Sequence, residues 1–170
     1  KLEKWAIYVT QNNKPKLAYV GKVVIDEIHD IAILKLIKGR LPALKLATSQ
    51  VREGKLYAFT GYPIGMILGL YPVTHRGIVS AISPVAIPAY NSTKLNSNLI
   101  GRLRDPFHVY QLDATAYPGN SGSPLYDVET AEVIGVINKV FVKESKENVL
   151  SKPSGITYAI PIEHVKKLLI

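Results

Sequence analysis

Proline and glycine interrupt this chain 11 and 12 times in 170 residues, and what lies between them is short. Proline removes a backbone donor and fixes φ, while glycine gives up the most conformational freedom on ordering, so both stop regular structure. The intervening runs are rich in valine, isoleucine, threonine and tyrosine. Short β-branched and aromatic runs bounded by such breakers read as strands. The chain is therefore expected to be all-β, with little room for long helices.

Residue by residue, strands are expected over 4–10, 17–26, 31–37 and 54–63, with 11–16 as a turn and 39–47 as an extended connection. Further strands are expected over 74–83, 107–115, 132–142 and 155–160. Two stretches, 89–106 and 143–152, read as polar or charged loops. The first is long enough to suggest a functional surface loop. The end, 161–170, carries Val165, Leu168 and Leu169 at three- and four-residue spacing behind Pro161, a residue favoured at the first helical position. A C-terminal helix is predicted there. The strands fall into two groups split near 64–73, the first reading as about four strands and the second as roughly five or six.

A length of 170 residues suits one domain or two small, closely packed halves, and 47% hydrophobic residues suffice for a core. No cysteine is present, which excludes a disulfide framework and thiolate metal sites. No apolar run is long enough to span a bilayer. The formal charge is +8. Such a balance suits an anionic partner, but the lysines are scattered and no nucleic-acid-binding motif accompanies them, so no nucleic-acid partner is expected.

Chemistry concentrates in "AYPGNSGSPLYD" (116–127). A serine hydroxyl attacks well only with a base in hydrogen-bond reach and donors for the developing oxyanion. Gly119 can take unusual backbone angles, so that the N–H groups of Gly119 and Ser121 converge on one point, with Asn120 as anchor or spacer. Gly122 leaves room for a substrate carbonyl. The five residues Pro118–Gly122 alone fit an ordinary interstrand turn equally well. The G-x-S-x-G elbow is not met, since Ser123 follows Gly122.

The wider context is more specific. "LDATAYPGNSGSPLYDVETAEVIGVINKV" (112–140) resembles the active-serine segment of trypsin-like serine proteases of the HtrA/Deg family. "HDIAILKLIKGRLPALKLATSQVREGKLYAFTGYPIG" (29–65) resembles that family's segment around its catalytic aspartate, and "RGIVSAIS" (76–83) and "GITYAIPIEHVKK" (155–167) also match it in family order. The resemblance implies a two-barrel trypsin-like fold closed by a C-terminal helix, with a first barrel over 1–65, a second over 66–160 and the helix over 161–170. It implies Ser121 as nucleophile, Asp30 as the carboxylate that orients a histidine, and Gly119, Asn120 and Ser121 around the oxyanion hole. Asp113, nearer in sequence to Ser121, becomes a structural strand residue. Thr115, Ala116, Tyr117, Asn138 and Lys139 would line the substrate pocket. With Thr115, not an acid, six residues before the serine, small or apolar P1 side chains are expected, and acidic ones as a weaker option. No metal or cofactor is implied.

The family order is His, Asp, Ser, and no histidine here fits it. His29 adjoins Asp30, and neighbours on an extended strand face opposite ways. His75, His108 and His164 follow the aspartate and read as packing or surface residues. A first barrel of this fold has about six strands, so the expectation is that two strands, carrying the histidine, precede Lys1. The resemblance further implies protein or peptide substrates, a homotrimer, an extracytoplasmic location and the possibility of an appended PDZ domain. The competing reading is a catalytically silent protease-fold module that binds extended peptides by strand addition.

Overall fold

The computed structural model describes residues 5–11, 14–64, 69–85, 106–138 and 155–169. Among them run β1 (Trp5–Gln11), β2 (Lys14–Asp26), β3 (Ile31–Leu36), β4 (Leu56–Gly61), β5 (Val73–Pro84), β6 (His108–Asp113), β7 (Pro124–Asp127), β8 (Val133–Asn138), β9 (Ile156–Pro161) and the helix α1 (Ile162–Leu168). The all-β expectation with a C-terminal helix is met. Pro161 ends β9 and caps α1 with φ −56° and ψ 143°, so Ile162, one residue later than expected, opens the helix. The predicted loop at 89–106 lies outside the described residues up to residue 105, as do the loop at 143–152 and the strand end beyond Asn138.

The first three strands form an open antiparallel sheet in the order β1–β2–β3. β2 starts at Lys14, inside the stretch expected to be a turn, because Pro15 pairs with Thr10 while its other edge is free of β3, whose pairing with β2 covers only Val20–Asp26. A proline is tolerated in a strand where its missing N–H faces no partner.

The remaining strands close a barrel in the order β4–β5–β6–β9–β8–β7. β4 was expected with the first group, inside 1–65, but belongs to this barrel. It pairs with β5 on one edge and β7 on the other, and buries Tyr57, Ala58 and Phe59 in succession. A strand apolar on both faces has no solvent side to present, which suits a closed barrel and not an edge. β7, a four-residue strand directly behind the Ser121 turn, was not separated from that loop by sequence alone. Register shifts at Val79/Ala81 and Leu125/Tyr126 supply bulges that bend strands around the closure.

Inside the barrel, Tyr57, Phe59, Val79, Leu112, Leu125 and Ile137 are wholly or almost wholly buried. A second cluster joins the open sheet to the barrel: Ile31 of β3 packs with Val85, Val109 and Ile160, flanked by Phe107, Tyr158, Val165 and Leu168. The connection between β3 and β4 is stitched along the barrel wall. Ala47 N–H donates to Val133 O and Val133 N–H to Lys45 O, while the Lys166 ammonium from α1 donates to Ala47 O.

Candidate active site

The residues 117–123 make two successive tight turns that share Asn120. Asn120 N–H donates to Tyr117 O at 3.0 Å around Pro118-Gly119, and Ser123 N–H donates to Asn120 O at 3.0 Å around Ser121-Gly122. Gly119 has φ +102° and Gly122 φ +87°. Positive φ at the third position of a hydrogen-bonded four-residue turn is the type II pattern, with proline favoured at the second position. The "PGNSGS" string is thus a pair of such turns, and Ser121 rides exposed at the second position of the second one.

Three contacts hold this double turn. Gly122 N–H donates to Ile137 O at 2.8 Å and Ile137 N–H to Ser123 O at 2.9 Å, which seats it on β8. Ile64 N–H donates to Pro118 O at 2.8 Å. A trans peptide points its N–H opposite to its C=O, so this last bond aims the Gly119 N–H away from Ile64. Neither the Gly119 nor the Ser121 N–H is taken up by a backbone carbonyl among the described residues. Both are available for an incoming oxygen.

Asn120 was grouped with them around the oxyanion hole, as an anchor or spacer, and its N–H is not one of this pair. Its N–H closes the first turn, and its side chain is fully buried with neither amide atom hydrogen-bonded. It is an anchor beneath the turn. Gly61 of β4 makes room for it: a Cβ there would lie 2.7 Å from Asn120 Oδ1 and 2.2 Å from Ser123 Oγ.

Asp30 sits at the end of the turn between β2 and β3 with φ +54°, a left-handed conformation that aspartate tolerates better than most residues. The turn is organised by Asp26, whose Oδ1 accepts the N–H groups of Ile28 at 3.1 Å and His29 at 3.0 Å, while its Oδ2 lies 2.5 Å from His29 Nδ1. Burial pushes the Asp26 carboxyl up, but the hydrogen bonds and charge from His29 outweigh it and hold the group below the usual carboxylate range. Asp30 Oδ2 accepts a hydrogen bond from Asn138 Nδ2 at 3.1 Å. Asn138 ends β8, one residue after the Ile137 that seats the serine turn, so a carboxylate from the open sheet is brought within a short chain of bonds of Ser121. Asn138 was expected to line the substrate pocket; its side-chain amide is turned to the carboxylate.

Of the other pocket candidates, Thr115, Ala116 and Tyr117 form a half-buried run leading into the first turn, with Ala116 packed on the barrel core. Lys139 lies outside the described residues. A cleft of about 310 Å³ opens beside Asp30, lined by Ile25, Asp26, Glu27, Asp30, Ile31 and Ala32. None of the four histidines is hydrogen-bonded to Ser121 among the described residues. His29 and His164 stack at 3.8 Å between ring centroids, His75 lies on Phe59 at 5.0 Å with its basicity lowered by burial, and His108 is exposed on β6.

Residues 3–136 match the family model described as a trypsin-like peptidase domain. The chain belongs to the trypsin-like peptidase family. Within that family it is similar to HtrA-type proteins. It is 33% identical over 139 residues to a DegP-like periplasmic serine endoprotease of Hahella chejuensis, covering 81% of this chain and 24% of that protein. It is 31% identical over 147 residues to the serine protease HTRA1 of Xenopus tropicalis, covering 85% and 26%. It is likewise 30% identical over 146 residues to the mitochondrial serine protease HTRA2 of Drosophila persimilis, covering 85% and 28%. The chain thus spans about a quarter of the length of these relatives. Among solved structures, the HtrA-type protease AlgW with a decapeptide superposes with a TM-score of 0.66 at 27% identity over 96% of this chain and 42% of AlgW. The MamO protease domain from Magnetospirillum magneticum, at TM-score 0.71 and 17% identity over 100% of this chain and 77% of that one, shares the fold.

Two features of this trypsin-like site were missed by sequence reasoning. One is the Ile64 bond that aims the Gly119 N–H, which no side-chain pattern encodes. The other is the Asp26 carboxylate organising the Asp30 turn. An aspartate followed two and three residues later by turn N–H groups is a recognisable local hydrogen-bonding pattern, and could have pointed to it.

Proposed function

We propose that the protein is an HtrA-like serine endopeptidase in which Ser121 attacks the scissile carbonyl and Asp30 orients the general base. The observation that carries this reading is the pair of free N–H groups, Gly119 and Ser121, beside an exposed serine whose supporting strand also holds the Asp30 carboxylate through Asn138. Those donors would stabilise the tetrahedral oxyanion, and the serine would form an acyl-enzyme that water hydrolyses. The base would be a histidine that reaches Ser121 from the side of Asp30. None of the four histidines described is hydrogen-bonded to Ser121, which is the observation that favours the competing reading of a silent peptide-binding module.

The half-buried Thr115–Tyr117 run offers no carboxylate for a cationic side chain, which supports small or apolar P1 residues. Protein and peptide substrates, a homotrimer and an extracytoplasmic location are part of this reading; the similarity to a DegP-like periplasmic protein supports the location, and the similarity to AlgW with a decapeptide supports peptide substrates. Among the described residues no helix is long and apolar enough to cross a membrane. Fluorophosphonate labelling of the complete protein tests the reading: a covalent adduct on Ser121, absent in Ser121→Ala, is expected. An unlabelled serine together with undiminished binding of extended peptides would replace the enzyme by the binding module.

A further inference from the structure

Asp26, His29, His164 and Phe107 form a cluster that the hydrolytic site does not use directly. His29 Nδ1 lies 2.5 Å from Asp26 Oδ2, its ring stacks on His164 with centroids 3.8 Å apart and planes tilted by 31°, and Phe107 meets both rings edge-on at 4.5 and 5.4 Å. The four residues come from three places: the turn between β2 and β3, the helix α1, and the strand entry before β6. They lie along the same seam as Ile31, Val165 and Leu168. Among the described residues no group of three or more His, Cys, Asp or Glu is arranged to hold a metal ion.

Its geometry bears on Asp30. The Asp26 carboxylate fixes the backbone of residues 28 and 29 and the ring of His29, and Asp30 is the next residue, held left-handed with its carboxylate on Asn138. We propose that Asp26 and His29 are positioning residues for Asp30, and that the His29–His164 stack makes this positioning pH-dependent. The proposal rests on the reading of Asp30 as the orienting carboxylate.

The pH dependence follows from the surroundings of the two rings. Burial, then the charges of His29 and Lys167, lower the His164 pKa to about 4, against a smaller opposing pull from Asp26, and its Nδ1 is buried without a partner. His164 is therefore neutral at neutral pH. The charged groups that act on it are His29, Lys167 and Asp26; the turn also carries Glu27 and Asp30, α1 also Glu163 and Lys166, and the adjoining strands Tyr158 and the exposed His108. Protonating His164 adds a cation against the His29 ring, 3.8 Å away between centroids, and beside Lys167. Like charges at this separation repel strongly when partly desolvated. The two rings are carried by the turn and by the helix, and the turn also carries Asp30.

The test uses the complete protein and two variants, Asp26→Asn and His164→Phe, with peptide hydrolysis followed from pH 4 to 8 and the Asn138 side-chain amide followed by NMR. Asp26→Asn is expected to lower kcat by about 10- to 100-fold with little change in KM, the scale of a misplacement of about an ångström in a catalytic constellation, and to shift the Asn138 amide signal. His164→Phe, which keeps the ring contacts, is expected to leave the rate at pH 8 unchanged and to remove the acid-side displacement of the Asn138 signal. Should Asp26→Asn not fold, His29→Phe deletes the same bond while keeping the ring packing and carries the same expectation. A kcat within twofold of the parent in either carboxylate-pair variant, or a His164→Phe titration that superimposes on the parent's, overturns the proposal. If the parent protein hydrolyses no peptide at any pH, the protease reading fails. The Asn138 titration then decides the positioning claim by itself.

Discussion

Gly119→Ala puts the oxyanion geometry to a sharp test. At φ +102° an L side chain is strained by about 1–3 kcal/mol, and the new Cβ would sit 2.3 Å from Tyr62 O, a backbone atom that cannot swing aside. The turn has one inexpensive escape. Rotating the Pro118–Gly119 peptide converts the type II turn to type I, which needs no positive φ at residue 119. That rotation breaks the 2.8 Å bond from Ile64 N–H to Pro118 O, at a net cost of about 0.5–1.5 kcal/mol. Strain relief exceeds this by roughly 1 kcal/mol or more, so the rotated form becomes the major one, by about tenfold at 1.4 kcal/mol. In it the residue 119 N–H faces away from the substrate. Loss of one such donor costs about 10²–10³ in kcat. We therefore expect kcat to fall by about fivefold or more in the complete protein while KM for a short peptide and the thermal midpoint change little. Hydrolysis rates of a peptide library and calorimetry read the two quantities. Parent-like kcat in Gly119→Ala would show that the Gly119 N–H is not an oxyanion donor, and would refute the assignment.

Gly61→Ala should act on stability first, because its Cβ would meet Ser123 Oγ at 2.2 Å and Asn120 Oδ1 at 2.7 Å under the double turn. Overpacking of this kind costs about 1–3 kcal/mol, read as a lowered denaturation midpoint, and an unchanged midpoint would show that the turn floor is loose. The pH dependence of stability should carry the mark of His164. Its folded pKa of about 4 lies below the ordinary 6.5, so the unfolded chain binds the proton more readily. Its contribution is complete above pH 6.5 and is lost as pH falls from there towards 4. After discounting for solvent screening of a half-buried ring, the loss at pH 5.5 is about 1 kcal/mol or less. Urea unfolding of the parent and of His164→Phe at pH 7.5 and 5.5 checks this, the expected result being a smaller pH difference in the variant.

Much of this molecule was legible because its signals are local. The strand runs between Gly and Pro became strands, and Pro161 ahead of Val165 and Leu168 marked the helix. "PGNSGS" could be read as a site because turn chemistry is written in consecutive residues. The misreadings share a different origin. β4 looks like any other short apolar run, and whether it closes a barrel or edges a sheet depends on partners 12 and more residues away, in β5 and β7. Pro15 looked like a turn residue, although an unpaired edge makes a strand tolerable. The bond from the Asn138 amide to Asp30 was likewise not legible, because sequence does not say which way an amide turns when a carboxylate comes within 3.1 Å of it from another sheet.

The double turn is held by β8, by Ile64 and by the floor of β4, all of them in the closed barrel or next to it in the chain, whereas Asp30 arrives on the open sheet. On the proposed reading, the nucleophile and the carboxylate that orients its base are therefore carried by separable parts of one polypeptide. What joins them is a small apolar seam around Ile31 and one amide, Asn138, that reaches across to the other sheet. A change at that seam would be felt by the carboxylate before it reached the serine turn.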